Sequence, residues 1–427
     1  MRITISMFML LLFSIVWGCN STEPNKTSNQ NIELTFVDAA SIEAWVEINT
    51  KNVTLPAKLT FTKNDKYAFE LNLSKADTII CLDSLMPKTN YTIEAATNEK
   101  NSNKLTFETL DTTSHNFTWE TFEFDREYFA CFIFDVAIID ENNIWAGGEV
   151  YMTDSAGNQE TEFYNIVKWN GSVWKEEKIY YNYQGQNWIA STSSIYAFST
   201  TDVWIGGNQP MHWNGTFWKK WDLLEDVWYG NIRSIGASSS SNIYICGDLG
   251  YLAYYNGTNW KKLETGTVWD IYDVFGYKSY DNSKEEVICA TIDPAAISEN
   301  IILKITDQSK VERINANFDR FTLSIWTNKG FPIYTCGDGL FSNKSGKWEE
   351  INLSYRFSQT QIRGNGLNDI FVTGGLGAMA HYNGSSWKGY NDLYRAIYTA
   401  AHVKGNIIAM VGWSFDGKGI ITIGKRY

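Results

Sequence analysis

Proline is scarce, at 6 residues, which beside many glycines suits short strands joined by tight turns, and no stretch of the chain carries the apolar period of a long helix, so the composition leans to β. Clusters of basic residues are missing too. With a net charge of -12 and a pI near 5.0, a nucleic-acid partner is not expected, because such binding needs grouped Lys and Arg to replace counterions. The 6 cysteines include no CxxC pair. After Cys19 an odd five remain (Cys81, Cys131, Cys246, Cys289 and Cys336), each inside an apolar strand-like run. Buried free thiols are therefore predicted rather than a disulfide framework or a metal site. No phosphate-binding loop, nucleophile elbow, HExxH helix or dinucleotide fingerprint occurs, which removes the readiest enzyme classes.

What the chain does hold is β-forming residues: 24 Tyr, 23 Phe and 18 Trp, with 32 Gly for tight turns. Its first nineteen residues, MRITISMFMLLLFSIVWGC, place one Arg before an apolar run from Met7 to Trp17 that is too short to span a membrane. That is the pattern of an export signal. The end of the run, Val16-Trp17-Gly18-Cys19, resembles the lipobox of bacterial lipoproteins, with Trp17 in place of the usual small residue. The resemblance implies cleavage after residue 18 and lipid on Cys19, each buried CH2 of which contributes about 0.8 kcal/mol of anchorage. It also implies a place in the cell envelope, outside the cytoplasm and held at a membrane, the outer membrane being the one expected. Residues 19–30 are polar and read as a tether.

Seven short alternating runs between residues 31 and 113 predict a β-sandwich. Within them Leu85-Met86-Pro87-Lys88-Thr89-Asn90-Tyr91 resembles the tyrosine corner of fibronectin type III domains, and Trp45 stands where that family buries its core Trp. The resemblance implies a spacer or adhesive module. Residues 114–133 read as a linker and the start of the next domain.

From residue 134 to 427 the chain repeats. The segments WNGSVW, WNGTFW and YNGTNW end at Trp174, Trp218 and Trp260, spaced by 44 and 42 residues; KSGKW and YNGSSW end at Trp348 and Trp387, 39 apart. The 88-residue gap from Trp260 to Trp348 holds one degenerate unit at 302–311. Upstream of each turn lies a second signature, as in Ile144-Trp145-Ala146-Gly147-Gly148 and Val203-Trp204-Ile205-Gly206-Gly207. Four strands per unit and seven units predict an all-β chain: a sandwich followed by a seven-bladed β-propeller. The Asn-Gly pairs are predicted to form type I′ hairpins, and the repeated Trp to wedge between sheets. The repeat resembles Asp-box and photosystem-assembly-factor propellers, with Asn where the box has Asp.

Asn-Gly-Ser/Thr sequons at Asn170, Asn214, Asn256 and Asn383 are this same turn rather than glycan sites. His212 and His381 share one repeat position without neighbouring ligands, so no metal or other cofactor is expected. On the face bearing the second-to-third-strand loops, Glu149, Asn208, Asp248, Asp293, Asp338 and Asp416 fall at corresponding places. The sheet-to-sheet connections add Tyr128, Trp188, Trp228, Trp269, Phe321, Phe357 and Tyr394. Carboxylates beside flat rings suit a sugar, and a protein surface equally. The alternative is that the rings pack between blades and the acids cap turns.

A non-catalytic lipoprotein displaying a propeller for a protein or glycan is the leading reading. A carbohydrate-active enzyme using the acidic face and a purely structural envelope component stay open. A sialidase would need three arginines; Arg233, Arg363 and Arg395 lie near inner strands, without the accompanying Arg-Ile-Pro.

Overall fold

A computed structural model describes residues 32–125, 130–152, 160–293, 301–316, 318, 320–344 and 346–427. Cys19, its tether and Tyr128 lie outside these. Residues 32–108 form seven strands in two sheets. Ile32–Ala39, Ala44–Thr50 and Asp77–Leu82 make one; Lys66–Leu73, Ala57–Lys63, Asn90–Ala96 and Leu105–Glu108 make the other. Alternating side chains such as Leu34, Ile48, Leu59, Phe61 and Ile93 fill the space between them, as period-2 patterning requires. The Tyr91 hydroxyl accepts a bond from the Met86 N–H at 2.8 Å, tying the corner that precedes its strand.

The rest builds seven four-stranded antiparallel sheets among the described residues. In six of them the strands follow chain order, from 132–177, 194–220, 232–262, 270–315, 322–350 and 359–390. The seventh takes Ala396–Lys404, Ile407–Ser414 and Gly419–Arg426, and its outermost strand is Phe117–Phe124, from the segment read as a linker. The degenerate unit at 302–311 is a regular hairpin in the fourth sheet. An extra hairpin, Tyr180–Tyr183 with Gln186–Ile189, sits between the first two sheets.

Because successive strands are antiparallel, the second-to-third loops and the sheet-to-sheet connections share one face, here the loop face. The first-to-second and third-to-fourth turns share the other, the turn face. The Asn-Gly turns differ from the predicted type I′ hairpin. Gly171, Gly215, Gly257 and Gly384 take φ near +90°, but the preceding Asn does not. Instead its Oδ1 accepts two backbone N–H groups, as Asn214 does from Thr216 and Phe217 at 3.0 Å each. Four residues, not two, separate the paired Trp213 and Trp218, and an Asx turn fits that length. The repeated Trp does lie between sheets: Trp218 meets Trp145 of the sheet before it at 6.5 Å, and Trp260 meets Trp204 at 5.9 Å.

First strands are sheet edges, and their outward N–H groups need acceptors. One side chain at each junction supplies one. Asp135 takes the Ile195 N–H (2.9 Å), Ser194 that of Ile235 (3.0 Å), and Ser234 that of Val274 at a longer 3.5 Å. Asp273 takes Ile325 (3.1 Å), Ser324 takes Ile362 (3.2 Å), and Gln361 takes Ala401. The last bond, from Ile138 N–H to His402 Nδ1 at 2.7 Å, joins the seventh sheet to the first.

The sandwich packs against the turn face of the fifth and sixth sheets. Trp45 is buried there rather than in the sandwich's own centre: it packs with Trp326, Tyr334 and Ile370 and donates its Nε1–H to the Lys344 carbonyl at 2.8 Å. Lys344–Glu43 (2.6 Å), Asn328–Asp38 (2.7 Å) and Tyr280–Glu47 (2.6 Å) ring this contact.

Candidate functional site

Where the first strands converge, the axis is blocked by charge. Arg363, from the sixth sheet, reaches across to Asp273 of the fourth with two bonds of 2.8 Å, and its Nη1 also meets Ser324 Oγ at 3.0 Å. Burial alone would raise the Asp273 pKa, but the Arg363 guanidinium and the Ser324 hydroxyl hold it below the usual range. Asp135 has no such fork. Burial pushes it up to about 6 despite the N–H groups of Ile195 and Val136.

This layer divides the axis into two hollows that share Asp135, Ser234, Gln361 and Arg363's neighbourhood. One of about 410 Å³ opens toward the turn face, past Tyr196, Phe198 and Lys404. A smaller one, about 190 Å³, opens toward the loop face past Arg233, Tyr272 and Thr399. Sequence reading missed the junction residues. Their signal was there: Asp135-Val136, Ser194-Ile195, Ser234-Ile235, Asp273-Val274, Ser324-Ile325 and Gln361-Ile362 are six copies of a polar residue followed by a β-branched one. All six polar residues pair across to one level of the second strand, Asp135 to Gly147 and Ser194 to Gly206 among them.

The residues predicted to form a binding face occupy the loop ends singly. Asp248 is drawn into an ion pair with Arg233 (2.5 Å), which also meets Asp270 at 3.2 Å and lies over Tyr272. Glu149 is half-buried, and burial raises its pKa. Asn208 and Asp338 are exposed, the Asp338 N–H donating to the Phe321 carbonyl at 3.1 Å. Asp293 is half-buried. Asp416 is exposed, and its bond to Ser414 lowers its pKa. Of the tryptophans, Trp188 is 51% exposed on the inserted hairpin, whereas Trp228 is only 1% exposed and donates to the Gly230 carbonyl at 3.0 Å. Trp269 is half-buried against the core of the fourth sheet. Phe321 and Phe357 are half-buried, and Tyr394 donates to Glu123. Two of the three arginines, Arg233 and Arg363, are committed to carboxylates; Arg395 is exposed beside Phe415.

His212 and His381 have a shared structural role. Each stacks on the aromatic residue of the neighbouring strand, Trp204 at 4.2 Å and Phe371 at 4.4 Å, and bonds through Nε2 to Asp202 (2.8 Å) or Asp369 (2.9 Å). Among the described residues no group of three His, Cys, Asp or Glu converges as metal ligands would.

The exposed large apolar side chains are unevenly spread. On the turn face of the seven sheets, among the described residues, Val173 and Phe217 are exposed at Asn-Gly turns and Tyr427 at the end of the seventh sheet's third strand. The loop face exposes Tyr180, Tyr183 and Trp188 on the hairpin, Leu224 (72%) and Tyr229 on the next connection, then Leu249, Val268 (71%), Leu376 and Phe415. Leu249 and Leu376 occupy equivalent loops of the third and sixth sheets with left-handed φ of 53° and 59°. A leucine there carries strain that glycine or asparagine would not.

No protein-family model matches the chain, and no curated protein matches it. Solved structures do. YCF48 bound to D1 peptide is similar over 74% of this chain and 100% of its own, at 14% identity and a TM-score of 0.54. YCF48 from Cyanidioschyzon merolae is similar over 71% and 98%, at 13% identity and 0.50. A catalytically inactive virginiamycin B lyase from Staphylococcus aureus with quinupristin covers 73% and 100%, at 12% identity and 0.53. At such identities the likeness establishes the fold alone: a β-propeller, which hosts binders and enzymes alike.

Proposed function

We propose that this chain is a lipid-anchored envelope protein whose seven-bladed propeller binds a protein segment on its loop face, with a fibronectin type III-like domain as spacer. The asymmetry of exposed apolar side chains carries the reading. Monomeric surfaces scatter such residues singly, and a face that gathers them, some at a cost in backbone strain, is a contact surface. The sandwich occupies the opposite face, leaving the loop face open. Its first strand, Ile32–Ala39, ends beside the propeller, so the tether joins at the far end. That arrangement suits display away from a membrane. A similar fold bound to a peptide is consistent with this use.

Chemistry narrows the partner. Around Leu224, Tyr229, Leu249 and Val268 the exposed Glu225 and Asp226 make no ion pair among the described residues. A segment with apolar anchors and a Lys or Arg would match. The test is selection of random dodecapeptides on the full chain held in detergent micelles. Selected peptides should lose about tenfold or more in affinity to a Leu249→Asp/Val268→Asp variant. Peptides that bind both proteins equally, or an empty selection, would refute the loop-face reading. For the anchor, Cys19→Ala should release the protein from the lipid fraction; retention there would refute it.

A further inference from the structure

We propose that the larger axial hollow, on the turn face, is a binding site for a small organic carboxylate with an aromatic or aliphatic body. The side-chain acceptors of its wall are engaged. Asp135 accepts the Val136 N–H (2.8 Å) on one oxygen and the Ile195 N–H and Ser194 hydroxyl on the other. The oxygens of Asp273 just behind are filled by Arg363, Ser234, Ser324 and the Ile325 N–H. The Tyr196 hydroxyl donates to the Ala237 carbonyl at 3.1 Å.

Donors, in contrast, are left over. His402 accepts the Ile138 N–H on Nδ1, so its proton sits on Nε2, which has no partner among the described residues. The side-chain NH2 of Gln361 is in the same position, its oxygen being engaged by the Ala401 N–H. Lys404 ends its strand at the turn face, exposed and in no ion pair among the described residues. The opposing surfaces are apolar: Ile195, Phe198, Phe275 and Val403. A hollow of about 410 Å³, at the small end of ligand pockets, with a donor set on one side and hydrocarbon on the other, calls for an acceptor-bearing head and a compact apolar tail. Arg363 with Asp273 is internally neutral, and Lys404 at the mouth supplies the positive charge that draws an anionic head, while His402 and Gln361 donate to its oxygens. This site lies on the opposite side of the axis from the loop face and stands or falls independently of it.

The experiment is calorimetric titration of the full chain in detergent micelles with 3-phenylpropionate, 3-phenylpropionamide and 3-phenylpropylamine. The acid should bind about tenfold tighter than the amide, and the amine not at all. Lys404→Glu, an exposed change whose folding is checked by its melting temperature, should weaken the acid about tenfold. His402→Gln, which keeps an acceptor for Ile138 and a donor for the ligand, should retain binding. Equal binding of acid and amide, preference for the amine, no binding of any, or indifference to Lys404→Glu would each overturn the assignment.

Discussion

The two faces of the propeller are made by the same four-stranded repeat and have opposite character. The turn face is short, repetitive and self-satisfied: Asn170, Asn214, Asn256 and Asn383 each take two backbone N–H groups, and part of it is covered by the sandwich. The loop face is irregular and carries insertions and exposed rings. Between them lies the level of side chains that bind sheet to sheet. The contrast teaches that one periodic framework fixes most of its strand ends on one side through a repeated short turn. On the other side it leaves length and chemistry free, which is where recognition is ordinarily placed.

The largest effect should come from breaking the level on which both faces depend. Asp273→Ala strands Arg363 in a buried place without its partner, a loss of about 3–5 kcal/mol by the usual cost of orphaning a buried charge. Chemical denaturation should show it, and the double variant Asp273→Ala/Arg363→Met should recover part of the loss. If the single variant is within 1 kcal/mol of the parent, roughly the scale of a surface change, the axis is not what holds the faces together.

Next in size is the contact that distinguishes the turn face. Trp45→Ala removes a buried indole and its bond to Lys344, for about 3 kcal/mol. The sandwich should then unfold or detach separately, so that one denaturation transition becomes two. A single undivided transition at the parent's midpoint would show that the turn face does not need this contact.

Most of the fold was legible because its signals are periodic. The Trp spacing, the Asn-Gly turns and the seven alternating runs report local geometry that each unit must satisfy by itself. The strand Phe117–Phe124 was not, since its partner Gly419–Arg426 lies some three hundred residues away and nothing local marks it as that sheet's fourth strand. Trp45 read as a core residue because burial has one signature in sequence whichever domain supplies the neighbours. The site was less legible still. Trp188 and Trp228 are alike on paper, yet one is exposed and the other packed under its own loop, because only the tertiary setting decides which way a connection folds. Asp135 and Asp273 looked like ordinary strand residues until the sheets were placed side by side.

Acid should then separate the axial level from both faces. In the folded chain burial, with His381 beside one and Arg363 beside the other, lowers the pKa of His115 and His402 to about 4 from an ordinary 6.5. The unfolded chain therefore takes up more protons between those values, and stability falls as pH drops from 6.5 toward 4. Asp135 works the other way: raised to about 6, it binds its proton more readily when folded and gains stability on acidification through that value. Among these three groups the two histidines outweigh the carboxylate. In His115→Asn the decline of the melting temperature between pH 7 and 4.5 should be shallower than in the parent, and in Asp135→Asn steeper. Identical slopes in all three would remove these groups from the account.

The smallest effect tests the turn face alone. Asn214→Ala deletes the oxygen that holds the Thr216 and Phe217 N–H groups, at an exposed turn where water can replace part of what is lost. A destabilisation of about 1 kcal/mol is expected, with peptide binding on the loop face unchanged. Leu224→Asp is its mirror image: an exposed loop-face change that should leave the denaturation midpoint where it is while weakening any segment bound there. Were Asn214→Ala to disturb binding, or Leu224→Asp to lower stability, the two faces would be coupled through the sheets. The separation of a fixed side from a free one would then have to give way to a single mechanical unit.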